Sequence, residues 1–292
     1  MYTQFFGNFL LSKGYITNEQ LFDALKEKAQ KHAKLGTLAI HSGLMTAAEV
    51  DSVIVEQTHQ DKKFGELTIE MSYLTDEQVK ELLNIQSPDF LLLGQILLDK
   101  GIIDNTTLEK SIHDYRSENA ISDLDMVLED KDSINHLIGH FFANTGIDPS
   151  AIDIMYLELL FNSFIRFVGD DYTPLSAEIC DSFSADCMVR QDIKGSYAIS
   201  TYIGMSQTTA INFASRYVNE SFSVYDEYVQ ASLDDFLNLN NGLFLVNCSN
   251  DQALELTLTA PEHFDGQTRS FNKACKLKLL YPFGAIHFII EF

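Results

Sequence analysis

The chain is short of positive charge. Its 292 residues carry 20 lysines and arginines against 42 aspartates and glutamates, a formal net charge of −22, and its pI is near 4.5. A surface of that sign repels phosphate backbones and anionic lipid, which argues against nucleic acid and acidic membranes as partners. Long apolar runs are lacking: none approaches the roughly 20 residues that cross a bilayer. The opening MYTQFFGNFLLSKG is too short and polar for a signal peptide. Cysteine is scarce. Cys180, Cys187, Cys248 and Cys275 form no CxxC pair and read as scattered reduced thiols of a cytoplasmic protein. Missing as well are a Walker loop, a GxGxxG after a strand and a GxSxG elbow, so nothing points to the enzyme classes built on them. What is present, 46% hydrophobic residues over this length, suffices for two cores and therefore two domains.

The first of these is a repeat. Gly7, Gly36, Gly65 and Gly94 are spaced by 29 residues, and each opens the same pattern: FFGNFLLSKGYITNEQLFDAL, KLGTLAIHSGLMTAAEVDSVI, KFGELTIEMSYLTDEQVKELL and LLGQILLDKGIIDNTTLEKSI. Fourteen positions after the glycine stands Leu21, Val50, Val79 or Leu108; eighteen after stands Leu25, Ile54, Leu83 or Ile112. Thr17, Thr46, Thr75 and Asp104 are placed as N-caps, with Gln20, Glu49 and Gln78 completing capping boxes. Each copy is expected to be two helices with one apolar stripe that it cannot bury alone, so residues 1–115 should pack as an all-helical array.

This array resembles the N-terminal domain of type II secretion and pilus assembly ATPases, LGxxLxxxGxIxxxxLxxAL. Some members, the MshEN domains, bind cyclic di-GMP through an Arg two residues before the glycine and a Gln closing the motif. Here no copy has the Arg, and only the second and third keep a cation and a Gln. Nucleotide binding, as the resemblance implies it, would fall to Lys34, Gln57, Lys63 and Gln86. A lysine lacks the guanidinium fork suited to phosphate and guanine, so a packing or docking module is the preferred reading.

Residues 116–146 read as an acidic linker and a short helix ending at Gly146, without the acid spacing of a calcium loop. His136 and His140 lie at i,i+4, but no third ligand accompanies them, so no metal site is expected. Residues 147–292 have a mixed element order. AIDIMYLELLFNSFIRFVG is a helix, an irregular segment holds Pro174, and CMVRQDIKG and SYAISTYIGM are strands. Ser206 caps QTTAINFASRYVN, and CKLKLLYPF and AIHFIIEF are strands joined through Pro282-Phe283-Gly284. Helices on one face of an antiparallel or mixed sheet is the expected α+β architecture.

Between the second helix and that hairpin runs YDEYVQASLDDFLNLNNGLFLVNCSNDQALELTLTAP, Tyr225 to Pro261. At 100° per residue Val229, Leu233, Phe236, Leu237, Leu243 and Phe244 share one arc, while Glu227, Gln230, Asp234, Asp235, Asn238 and Asn241 share the other. That is an amphipathic helix, followed by a polar break at NCSNDQ and a period-2 strand, ALELTLTA, ending at Pro261. Asp235 and Asn238 lie one turn apart on the wet arc.

The stretch resembles the signature of the CheC/CheX family of chemotaxis phosphatases: a helix bearing Glu, two residues, then Asn, with a proline closing the next strand just over twenty residues later. Asn238 and Pro261 match, with 22 residues between them; Asp235 stands for the Glu, one methylene shorter, and Ala231 where Ser or Asp is usual. The element order over roughly 149–292 resembles CheX-like domains as well. Glu158 and Asn162 on the leading helix depart from the signature by one residue of spacing.

The resemblance implies a CheX-like α/β sandwich, a bacterial cytoplasmic protein, a homodimer, and hydrolysis of the aspartyl phosphate of a response-regulator receiver domain. In that reaction the receiver supplies the Mg²⁺, so no cofactor of the protein's own is expected. Asn238 would orient the attacking water, Asp235 would dock the helix on the receiver's Lys, and Glu227, Asp234, Asn241 and Pro261 would line the docking face. The competing reading is a non-catalytic scaffold or adaptor that uses the same face, or the repeats, only to bind partners.

Overall fold

The computed structural model describes residues 2–27, 33–84, 89–119, 138–139, 141–142 and 145–292. The chain divides into two compact units, Tyr2–Leu128 and Glu129–Phe292. His136, His140 and most of the connector lie outside the described residues.

The first unit is all helical: α1 Tyr2–Ser12, α2 Asn18–Glu27, α3 Leu35–His41, α4 Ala47–Gln57, α5 Phe64–Glu70, α6 Asp76–Asn84, α7 Asp89–Asp99 and α8 Asn105–Glu118, which runs three residues past the expected boundary at 115. The caps fall where the sequence places them. Thr17 N donates to Gln20 Oε1 at 2.8 Å, while Gln20 N donates to Thr17 Oγ1 at 3.2 Å. Thr46–Glu49 and Thr75–Gln78 close equivalent boxes, and Asp104 Oδ1 accepts from Thr107 N at 2.7 Å. The 29-residue glycine has a steric reason. A Cβ on Gly36 would lie 2.9 Å from Val50, on Gly65 3.1 Å from Val79, and on Gly94 2.8 Å from Leu108. Each glycine thus lets the first helix of its pair seat against the apolar residue fourteen positions on.

The expected stripe is covered unevenly. All four residues at the fourteenth position are buried, as are Leu25 and Ile112 at the eighteenth, but Ile54 is 44% and Leu83 65% exposed. The reason is that the copies close on one another rather than stacking in file. α1 packs on α7 and α8, and α2 on α7, so the outer copies cover each other. Phe6, Phe9, Phe90 and Tyr115 form the aromatic seam there, with ring centroids 5.2–5.3 Å apart for Phe6–Phe90, Phe6–Tyr115 and Phe9–Tyr115. The eighteenth positions of the two middle copies get no such cover.

The second unit runs α9 Ala151–Phe167, β1 Thr173–Ile179, β2 Ser182–Phe183, β3 Cys187–Gly195, β4 Ile199–Met205, α10 Gln207–Val218, α11 Glu227–Gln252, β5 Leu256–Leu258, β6 Glu262–His263, β7 Arg269–Ser270, β8 Ala274–Tyr281 and β9 Gly284–Glu291. The main sheet has the order β1-β8-β9-β4-β3-β5, with β6 also on β3, and every pairing is antiparallel. The helices cover one face: α11 packs on β3 and β5, and α10 on β9, with Tyr156 of α9 against Phe244 and Phe288. On the opposite face Cys180, Met188, Tyr202, Phe271, Ala274 and Ile289 cluster under Phe183, Ala185 and Phe264, held by the short β2–β7 ladder.

Two local readings are corrected. Pro174 is not in an irregular segment but in β1, which it can enter because β1 is a sheet edge and an edge strand tolerates a missing donor. NCSNDQ is not a break. It is the last turns of α11, which run on because Cys248 is buried, and they end at Ala253 with φ 53°. Only Leu256–Leu258 of the expected strand pairs.

Candidate functional site

α11 starts on an Asp226 cap whose carboxylate accepts from Tyr228 N and Val229 N. Val229, Leu233, Phe236, Leu237 and Phe244 are fully buried, as their arc predicts. Leu243, expected with them, is 38% exposed, and Asn241, expected on the wet arc as a docking residue, is completely buried, as is Asn240. A side chain without accessible surface meets no partner, so Asn241 is removed from the docking face. The helix is wedged among α9, α10 and the sheet, which widens its buried arc to include both asparagines.

Their burial is matched by a closed hydrogen-bond network. Ser163 Oγ donates to Asn240 Oδ1 at 2.9 Å, and Asn240 Nδ2 donates to Tyr156 Oη at 3.2 Å. Tyr156 Oη in turn donates to Asn241 Oδ1 at 2.7 Å. Burial pushes the Tyr156 phenol far above its usual range, so it stays a donor. Asn241 Nδ2 donates to Gln191 Oε1 and to Thr201 Oγ1, each at 2.9 Å. Gln191, on β3 and fully buried, passes the network outward: its Nε2 donates to Asn238 Oδ1 at 2.8 Å and to the Thr259 carbonyl at 2.9 Å.

Asn238 is therefore exposed at its tip and held from behind. Asp235, also exposed, accepts from Tyr217 Oη of α10 at 2.6 Å. Tyr217 is set by the rings of Phe213 and Phe236, at 6.0 and 5.8 Å; burial and the Asp235 charge push its phenol up. The two side chains thus stand one turn apart on the outer face, each with a fixed anchor, an acceptor carboxylate beside a carboxamide whose NH₂ is presented to solvent. One turn further on is Gly242, where an added Cβ would meet nothing within 4 Å.

Pro261 is half-buried and sits where the ladder on β3 is interrupted, after β5 on Ile193–Gly195 and before β6 on Val189–Arg190. A residue without an N–H fits that gap. Two residues earlier, Thr259 accepts from Asp192 N at 3.0 Å and from Gln191, so the proline's strand is coupled to Asn238 through Gln191. Asp234 is engaged by His263 Nε2, 3.1 Å from its Oδ2. Glu227 lies exposed in the first turn, eight residues from Asp235, about 12 Å along the axis. Glu158 is half-buried and Asn162 exposed on α9. Gln191, Tyr217 and Tyr156 were missed by sequence reasoning, since each sits at an ordinary strand or helix position.

In the repeat unit, Lys34 and Gln57 line one cleft of about 640 Å³, Lys63 is not among its lining residues, and Gln86 lies outside the described residues. Lys34 Nζ is 2.7 Å from Asp99, and Gln57 Nε2 donates to the Lys62 carbonyl at 3.1 Å. The same cleft holds Asp51, Asp99 and Asp104. Thr107 beside Asp104, through its hydroxyl and amide, holds that carboxyl below the usual range.

Among the described residues no group of three or more His, Cys, Asp or Glu could hold a metal, and no helix is long and apolar enough to cross a membrane. The four cysteines are free and buried; burial pushes Cys187 up to about 11 and Cys275 up to about 12, so neither is a ready nucleophile.

No family model matches the sequence, and no curated protein does. Among solved structures, the C-terminal half is similar to a chemotaxis protein CheX from Desulfovibrio desulfuricans, at 13% identity over 48% of this chain and 98% of that one, TM-score 0.42. It is similar to a CheC-like superfamily protein from Shewanella, at 15% identity over 47% and 93%, TM-score 0.41. It is also similar to the CheX–CheY–BeF3–Mg²⁺ complex from Borrelia burgdorferi, at 18% identity over 47% and 94%, TM-score 0.37.

Proposed function

We propose that the C-terminal unit docks a response-regulator receiver domain on the outer face of α11 and hydrolyses its aspartyl phosphate. The observation that carries this reading is the Asp235–Asn238 pair, exposed together one turn apart and anchored by Tyr217 and Gln191. A carboxamide can donate through its NH₂ to a phosphoryl oxygen while the second lone pair of its C=O accepts from a water, which fixes that water for in-line attack. Gln191 occupies one lone pair of Asn238 Oδ1 and leaves the other. The receiver would bring the Mg²⁺ and a lysine, and Asp235 would take that lysine on the oxygen not bonded to Tyr217.

Gly242 supports a body approaching closely from outside. A glycine inside a helix costs about 1 kcal/mol relative to alanine, and among the described residues none stands within 4 Å of a Cβ added there. The scaffold reading keeps the same face and drops the water; Asp235, one methylene short of the signature acid, favours it.

The deciding experiment follows the decay of phosphorylated receiver domains from the same genome, with the full-length protein and with Asn238→Ala. Decay accelerated by the wild type and not by the variant is the expected result. Binding of a receiver without any acceleration would overturn the catalytic reading in favour of the scaffold.

A further inference from the structure

We propose that the cleft of the repeat unit binds a small organic cation, an ammonium group on an apolar body. The cleft lies among α3, α4, α5, α7 and α8, and its volume of about 640 Å³ is in the range of small-molecule sites. Leu35, Val50, Ile54, Phe64 and Leu98 give it an apolar wall. Ile54 and Leu83, at 44% and 65%, are the open counterparts of Leu25 and Ile112, at 2% and 4%, and of these two Ile54 lines the cleft. A ligand with an apolar body would cover it.

The polar side of the cleft decides the ligand's charge. Among the described residues that line it, Asp51, Asp99 and Asp104 are carboxylates and Lys34 is an ammonium, paired with Asp99. The side chains are set in place beforehand. Gln95, 2% exposed in the otherwise apolar run of α7, accepts from Lys34 N at 3.0 Å and Thr37 Oγ1 at 2.7 Å and donates to Asp99 Oδ1 at 2.9 Å. Asn105 Nδ2 donates to Asp51 at 2.7 Å. A cleft with excess fixed negative charge favours a cation and opposes a phosphodiester, so the cleft is not suited to a cyclic dinucleotide although it holds Lys34 and Gln57. The net charge of −22 draws cations toward the protein at longer range.

The test uses three probes with one apolar body: phenylbutylamine, phenylbutanol and phenylbutyrate, titrated into full-length protein with isotope-labelled isoleucine methyl groups. Phenylbutylamine is expected to shift the Ile54 methyl saturably, phenylbutanol more weakly and phenylbutyrate least. Asp51→Asn keeps an acceptor for Asn105 and should weaken the amine about fivefold, as for a partly exposed charge pair, without changing the alcohol. An Ile54 methyl unmoved by millimolar amine overturns the proposal. So does phenylbutyrate binding as tightly as the amine, or displacement of the amine by cyclic di-GMP.

Discussion

Gln191→Leu keeps the volume of a fully buried side chain but deletes three hydrogen bonds at once. The losses are unequal. Asn238 Oδ1 loses its Gln191 donor but can turn to water, because Asn238 is exposed. Asn241 Nδ2 loses one acceptor and keeps Thr201. The Thr259 carbonyl loses the Gln191 amide in a partly buried place. An orphaned buried polar group costs about 1–3 kcal/mol; with one group fully orphaned and one half-satisfied, the C-terminal unit should lose about 2–3 kcal/mol, visible as an earlier urea midpoint of its transition. The second consequence is local. Without Gln191 the Asn238 carboxamide is free to rotate, and misplacement by about 1 Å can cost about 10²-fold in rate. In ¹⁵N spectra of side-chain amides, Asn238 should move and broaden. In the phosphoreceiver assay the rate should fall toward that of Asn238→Ala, with receiver affinity changed little. Unchanged Asn238 amide signals together with an unchanged decay rate would refute Gln191 as the residue that positions Asn238, and that outcome is separate from a failure of the wild type to hydrolyse anything.

Tyr217→Phe removes only the hydroxyl that holds Asp235; stability should drop by less than about 1 kcal/mol at this exposed site, while receiver affinity falls several-fold and the turnover of bound receiver holds, read by titration and single-turnover decay. Gly242→Ala should raise thermal stability, by about 0.5–1 kcal/mol, whereas Gly242→Arg should block receiver binding in a pull-down without unfolding the unit. Ser72 holds φ 61° at the point where the other three repeats place Gly14, Gly43 and Gly101, so Ser72→Gly should stabilise the repeat unit by up to about 1 kcal/mol in a denaturant titration. His287 is pushed down to about 4 by burial and then by Lys278 and Lys276. It is neutral when folded and takes a proton on unfolding between its usual 6.5 and about 4, so its contribution is fully present above pH 6.5 and is lost as pH falls through that window, by up to about 3 kcal/mol. His287→Phe keeps the ring against Phe183 and should flatten the fall in stability between pH 6.5 and 4; an identical slope in the variant would rule His287 out as its source.

The repeats were legible because their information is local. A cap and its box partner are three residues apart, and the glycine and the apolar residue it admits are fourteen apart in every copy, so phase alone revealed them. What phase could not say is how the copies close. Ile54 and Leu83 read as core by the same rule that placed Leu25 and Ile112 correctly; Leu25 lies on α2, which packs on α7, and Ile112 on α8, which packs on α1 as well as on α3 and α4. In the C-terminal unit the strand hairpins and the Ser206 cap were visible for the same local reason. Pro174 was misread because a proline excludes central strands but not edges, and which strand is an edge is a property of the whole sheet.

The candidate site divides along that same line. Asp235 and Asn238 were found by spacing, and the apolar residues at i, i+3, i+4 and i+7 marked the buried side of α11. Asn241 is assigned to the wet arc by the 100° rule and Asn240 to neither arc, yet both are completely buried. A polar residue in the core is tolerated only when partners distant in sequence satisfy it, and here they are Tyr156, Ser163, Gln191 and Thr201 from α9, β3 and β4. The same arrangement gives the Asn238–Pro261 spacing a physical meaning. Pro261 sits at the break between β5 and β6, the break sets Thr259 against Gln191, and Gln191 holds Asn238. A chain that kept Asn238 but closed that gap with a regular ladder would lose the acceptor that orients Gln191, and with it the fixed carboxamide. The proline therefore belongs to the candidate site as its support: Thr259, two residues before it, stands two hydrogen bonds behind the exposed Asn238 carboxamide.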